Sequence, residues 1–142
     1  MIQLFTELQE KKNVRSNLSA LRASLKEATE EQKAQAIEFV RGHEDLVFGF
    51  LQEEDAKTRK NAALLLGDLA VQNALQPLWK AYTREQTLFI KSAYLEAMKA
   101  LHAEEILSQL KDRLAELEGE PVTEENRKHR EAELRALRAI LI

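Results

Sequence analysis

The sequence predicts an all-α protein built from short antiparallel helices, and three observations carry that prediction. Ala, Glu, Lys, Leu and Arg fill 83 of the 142 positions, above the roughly 50% that marks helix-rich chains. Gly and Pro number only 4 and 2, and no stretch alternates apolar and polar residues long enough for a strand. Breakers at Gly42, Gly67, Pro77, Gly119 and Pro121 divide the chain. One long coiled coil needs an unbroken heptad over many turns, so short helices are favoured.

The elements follow in order. A first helix is read at 2–11 and a second at 14–27. At about 100° per residue, Val14, Leu18, Leu21 and Leu25 of the second fall within an arc of about 60°, a buried stripe. A third helix, 30–41, opens at the capping box Thr29-Glu30-Glu31-Gln32, where a threonine oxygen and the third residue on satisfy orphan N–H groups reciprocally. A fourth spans 44–52. Asp55 is the expected N-cap of 56–70, and Thr87 that of 88–101. Between and after them lie 73–83 and 104–117. The last helix, 124–141, follows Thr123-Glu124-Glu125-Asn126, a weaker box because Asn replaces the usual Glu or Gln.

Internal self-similarity organises these helices. "TRKNAALLLGDL" (58–69) aligns with "IKSAYLEAMKAL" (90–101) and "HREAELRALRAI" (129–140). Arg59, Lys91 and Arg130 share one place; Asn61, Ala93 and Ala132 another; Leu66, Met98 and Leu137 a third. The first two blocks lie 32 residues apart, and the same offset carries Leu75, Leu78 and Tyr82 onto Leu107, Leu110 and Leu114. Stepping back equally reaches His43, Leu46 and Phe50, a degenerate copy. The third block sits 39 residues on, the excess falling in "ELEGEPV" (116–122).

"EEDAKTRKNAALLLGDLAVQNALQPL" resembles a HEAT-type repeat of the short kind, with Asp55, Arg59, Ala62, Leu66, Gly67, Ala74, Pro77 and Leu78 at the matching places. The second unit departs, with Thr87 for the acid, Lys99 for the glycine and no proline after Ala103. The resemblance implies a HEAT-like α-solenoid of antiparallel helix pairs. The chain then reads as a single helical-repeat domain, 1–142: N-terminal helices at 1–28, a degenerate repeat at 29–54, repeats at 55–85 and 86–118, and a partial repeat at 123–142. "KNVRSNLSALR" and "TEENRKHREAELRALR" together are similar to the helical extension preceding the catalytic portion of some bacterial S-adenosylmethionine-dependent RNA methyltransferases. That second resemblance implies an accessory RNA-contacting role.

Catalytic motifs are thin. His43, His102 and His129 lie 59 and 27 residues apart, not at the i, i+4 spacing of two ligands on one helix face. With no cysteine to join them, neither a metal site nor a disulfide framework is expected. The paired acids Glu30/Glu31, Glu53/Glu54, Glu104/Glu105 and Glu124/Glu125 sit near helix starts, where the macrodipole favours them. The four glycines are isolated, so no phosphate loop exists. No cofactor and no enzyme activity in this segment are expected. The N-terminus lacks a signal-peptide pattern. The longest apolar run, Ala62 to Gly67, is far below the roughly 18 residues of a membrane span. A soluble, cytoplasmic protein without a membrane partner is the expectation.

Charge supplies the sharpest surface feature. Residues 11–26 carry five cations and no acid, in a chain of net charge −3. If the second helix reaches back to Lys11, then Lys11, Arg15, Arg22 and Lys26 occupy an arc of about 60° beside the buried stripe. Local pairing with Glu27, Glu30 and Glu31 is the structural alternative. Arg59, Lys91 and Arg130 are expected to form a ladder with acids and helix ends. The candidate partner-binding residues are Lys11, Arg15, Arg22 and Lys26, with Trp79, Lys80 and Arg84 from the 73–83 helix. The expected function is a non-catalytic interaction and scaffold module for a protein partner or adjacent domain, docking on the second helices of the repeats. RNA binding is the alternative. The apolar ending "RALRAILI" raises a further expectation, that more protein follows or another subunit covers the last helix.

Overall fold

The computed structural model describes residues 1–141. Among them run nine α-helices and no strand: α1 (Ile2–Gln9), α2 (Val14–Leu25), α3 (Glu30–Gly42), α4 (Glu44–Phe50), α5 (Ala56–Asp68), α6 (Leu75–Arg84), α7 (Leu88–Lys99), α8 (Leu107–Gly119) and α9 (Arg127–Leu141). Short 3₁₀ turns at Gln72–Ala74 and Glu104–Ile106 lead into α6 and α8, so α6 starts two residues, and α8 three residues, later than the sequence pattern suggests. No described helix is long and apolar enough to cross a membrane.

Local chemistry explains the starts and stops. Both bonds of the Thr29–Gln32 capping box form, and the Asp55 carboxylate accepts the Thr58 N–H at 2.9 Å. Asn126 closes the last box after all: its carbonyl accepts the Thr123 N–H at 2.9 Å, and its own N–H reaches the Thr123 hydroxyl at 3.2 Å. Thr87 departs from expectation, because its hydroxyl caps nothing. The Glu85 carboxylate takes the Thr87 N–H instead, at 3.0 Å.

The helix expected to reach back to Lys11 does not. Lys11 has φ 57° and closes α1, with Lys11 N–H on the Leu8 carbonyl and Lys12 N–H on that of Glu7. That 5→2 and 6→1 pattern ends a helix. Asn13, also left-handed at φ 45°, then opens α2. The same closure ends α5, where Ala70 takes φ 51° and Val71 N–H bonds the Leu66 carbonyl at 3.0 Å.

The repeat offset recurs in the backbone. α7, the second 3₁₀ turn and α8 each start 32 residues after α5, the first 3₁₀ turn and α6, and α9 starts 39 after α7. α5 packs between α2 and α7, and α7 between α5 and α9. α1, α4, α6 and α8 lie against α2, α5, α7 and α9 respectively. Arg15 meets Asp55 near the starts of α2 and α5, and Arg22 meets Asp68 near their ends, so the two helices run in the same sense. α5 and α7 do likewise, with Arg59 beside Glu85 at one end and Gly67 against Ala97 at the other. Buried Leu18, Leu21, Ala62, Leu66, Met98 and Leu137 fill these contacts. Gly67 therefore breaks nothing: it lies inside α5, where a Cβ would fall 2.7 Å from the Ala97 Cα.

Candidate functional site

Two buried networks fix the loops and the second helices. Arg59 grips Glu85 through two N–H···O bonds of 2.9 Å, and the Tyr94 hydroxyl adds a third donor at 2.6 Å. Burial alone would raise the Glu85 carboxyl, but the bonds from Arg59, Tyr94 and the Thr87 N–H outweigh it and hold it below the ordinary range. The other guanidinium arm of Arg59 donates to the Glu53 and Glu54 carbonyls at 2.7 and 2.8 Å. Arg130 repeats that motif on the Leu117 and Glu118 carbonyls at 3.2 and 3.4 Å. Lys91, the third member of the ladder, instead stands 5.3 Å above the Tyr82 ring.

The second network joins α6, α8 and α9. The Tyr82 hydroxyl donates to the buried Glu133 carboxylate, and Arg113 meets the same carboxylate at 2.9 Å and the hydroxyl at 3.1 Å. Burial, then the adjacent Glu133, pushes the Tyr82 hydroxyl well above the ordinary tyrosine range. Burial opposes the charge on Arg113, yet Tyr82 and Glu133 raise its basicity further. A charged, satisfied network of this kind is costly to break and rigid while whole.

This network floors a hollow of about 360 Å³ between α6 and α8. Leu75, Leu78 and Tyr82 bury one stripe of α6, which leaves Trp79 half-buried at its edge, 5.5 Å from the Tyr82 ring and tilted by 45°. Gln109, Asp112 and Glu116 of α8 share the facing rim because their i, i+3, i+7 spacing puts them on one helix face. Indole, ammonium and two carboxylates around one opening suit recognition of a side chain by shape and charge. Among the described residues no three His, Cys, Asp or Glu side chains cluster as a metal would need.

The other sequence-predicted residues are dispersed. Arg84 is exposed beside the Arg59–Glu85 pair, lining a separate hollow of about 410 Å³. Lys80 is exposed on the outer side of α6, its carbonyl taking the Thr83 hydroxyl. Lys11, Arg15, Arg22 and Lys26 form no continuous row. Lys11 stands on the α1–α2 turn, Arg15 pairs with Asp55 at 3.3 Å and Arg22 with Asp68 at 2.8 Å. The pairing acids thus belong to α5, not to the nearby Glu27, Glu30 and Glu31. Lys11 and Lys26 stay exposed without an acidic partner among the described residues. At the far end, α9 turns Lys128, Glu131, Arg135 and Arg138 outward while Ile140 and Leu141 lie partly against the core.

Sequence reasoning missed the Tyr–Glu–Arg networks, since Glu133 lies 51 residues from Tyr82. The available signal was a lone acid on the apolar side of α9, Glu133 next to Leu134 and Leu137. Comparison with known proteins returns no match to any family model, curated protein or solved structure.

Proposed function

We propose that this chain is a HEAT-like α-solenoid of antiparallel helix pairs serving as a non-catalytic interaction module, with the α6–α8 hollow as its docking point for a protein partner. The 32-residue recurrence of helix starts supports the solenoid. Stacked repeats bury a core through their neighbours and leave extended surfaces for macromolecules. One observation carries the functional reading: the single tryptophan is half-buried at the mouth of a hollow whose floor is a rigid buried network. Tryptophan, tyrosine and arginine set in such pockets dominate interface energetics. An RNA-contacting accessory role has less support, because Arg15 and Arg22 are already matched by acids.

Site-specific photocrosslinking tests the reading. A photoreactive residue at Thr83 or Gln109, both exposed on the hollow's rim, should give one discrete protein adduct in cells. The same residue at Glu131 on α9 should give none. Trp79→Ala should abolish the adduct while the helical circular dichroism spectrum persists. Equal adducts from Glu131, or none from either rim position, would overturn the proposal.

A further inference from the structure

A second surface gathers positive charge. Lys33, Ile37 and Arg41 recur every four residues along α3, so they form one stripe about 12 Å long at 1.5 Å per residue. Across from the stripe lies the end of α5, closed by the left-handed Ala70. Two adjoining hollows of about 420 and 410 Å³ separate them, and both are walled by Ile37, Leu69 and Ala70. Lys26 and Leu25 of α2 complete the first hollow, and Arg41 and Val71 the second.

The chemistry of this groove is one-sided. Four cations line it (Arg22, Lys26, Lys33 and Arg41) against two acids, Asp68 and Glu44. Asp68 is taken by Arg22 at 2.8 Å, and Glu44 accepts from Asn73 at 3.2 Å. Lys26 and Arg41 have no carboxylate within 4 Å among the described residues, and Lys33 has only Glu30 at 3.9 Å. A chain of net charge −3 thus keeps two excess positive charges over an apolar floor.

We infer that the groove between α3 and the end of α5 docks an acidic amphipathic helix of a partner protein. Apolar side chains one turn apart, with Cβ atoms about 5–6 Å from each other, would straddle Ile37 and enter the two hollows. Flanking carboxylates would meet Lys26, Lys33 and Arg41. Helix-in-groove recognition uses that anchor spacing. The apolar floor argues against a nucleic acid, which has no such side chains to bury, and no aromatic ring lines either hollow for base stacking. The inference does not rest on the α6–α8 hollow.

The probe is a fluorescein-labelled, stapled helix of about three turns, with leucine at i and i+4 and glutamate at the flanking positions. Fluorescence anisotropy should detect its binding. Lys26→Glu, Lys33→Glu and Arg41→Glu together should weaken it at least about tenfold, largely through lost charge complementarity, with circular dichroism unchanged. Trp79→Ala should leave it unaltered, which separates this site from the α6–α8 reading. A scrambled peptide of the same composition, and one with lysine for glutamate, should bind at least about tenfold more weakly. Absence of binding, or equal binding of the scrambled peptide, overturns the inference. So does a short structured RNA that binds more tightly than the peptide and is released by the same three reversals, an outcome assigning the groove to nucleic acid.

Discussion

Gly67 on α5 lies against Ala97 on α7 so closely that a Cβ there would fall 2.7 Å from the Ala97 Cα and 3.1 Å from its Cβ. The obstacle is backbone, so no rotamer change relieves it. Gly67→Ala would gain helix propensity of up to about 1 kcal/mol. Forcing the two helices apart costs about 1–3 kcal/mol, so net destabilisation is expected. Gly49 in α4 is the control, because a Cβ there meets nothing within 4 Å. Gly49→Ala should raise the melting temperature while Gly67→Ala lowers it. Two shifts of the same sign would contradict this packing.

Glu85 is a buried carboxylate whose ionised form is held by Arg59, Tyr94 and the Thr87 N–H. Its folded-state pKa is depressed. It therefore adds stability above the unfolded value of about 4.3 and loses it as pH falls through the folded value. Glu85→Gln should cost about 1.5–3 kcal/mol at pH 7, the worth of a hydrogen bond to a charged group. The gap between wild type and variant in urea denaturation should narrow below about pH 4. A gap constant from pH 7 to pH 3 would show that the carboxylate charge contributes nothing.

The positions that sequence made legible are those whose cause is local. Thr29 and Asp55 mark helix starts because their oxygens act within three residues, whereas the Thr123 box closes a turn and α9 begins only at Arg127. Leu18, Leu21 and Leu25 mark a buried stripe because helix period alone decides it. The offset between α5 and α7 was readable because a repeated packing problem selects similar residues. What stayed hidden depends on backbone closure or on distance along the chain. Lys11 looks like a helix residue, yet it closes α1 at φ 57°. Arg22 finds Asp68 only after 46 residues, and the paired Glu30 and Glu31 beside it in sequence proved irrelevant to it. Gly67 read as punctuation because its partner, Ala97, is visible only once α5 and α7 are packed.

Ala70 sits where glycine usually ends a helix. Its φ of 51° carries roughly 1–2 kcal/mol of left-handed strain for a residue with a Cβ. Ala70→Gly removes that strain and adds about 0.5–1 kcal/mol of unfolded-state entropy to be overcome. Net stabilisation of about 0.5–1 kcal/mol is expected, read by chemical denaturation with an unchanged m-value. Destabilisation would mean that the Ala70 methyl packs more than its exposure suggests.

The acid-free segment raises the last prediction. Arg15 and Arg22 of α2 reach acids at opposite ends of α5, but the two acids differ in role. Asp55 also caps α5, accepting the Thr58 N–H and hydroxyl at 2.9 and 2.8 Å. The Thr58 hydroxyl first, then the Thr58 N–H and Arg15, hold its carboxyl below the usual range against the opposing effect of desolvation. Asp55→Ala should therefore lower the melting temperature clearly more than Arg15→Ala, because only the first leaves a helix start uncapped. Asp68 has no such second duty. A double-mutant cycle on Arg22 and Asp68, a pair 25% and 40% exposed, should give a coupling of about 0.2–1 kcal/mol. Salt should shrink it, since screening at 1 M acts over about 3 Å. Helix propensity barely distinguishes Arg from its neighbours, so no larger effect of Arg22→Ala is expected. A coupling well above that range, insensitive to salt, would make the pair a keystone of the α2–α5 contact and not a surface clasp.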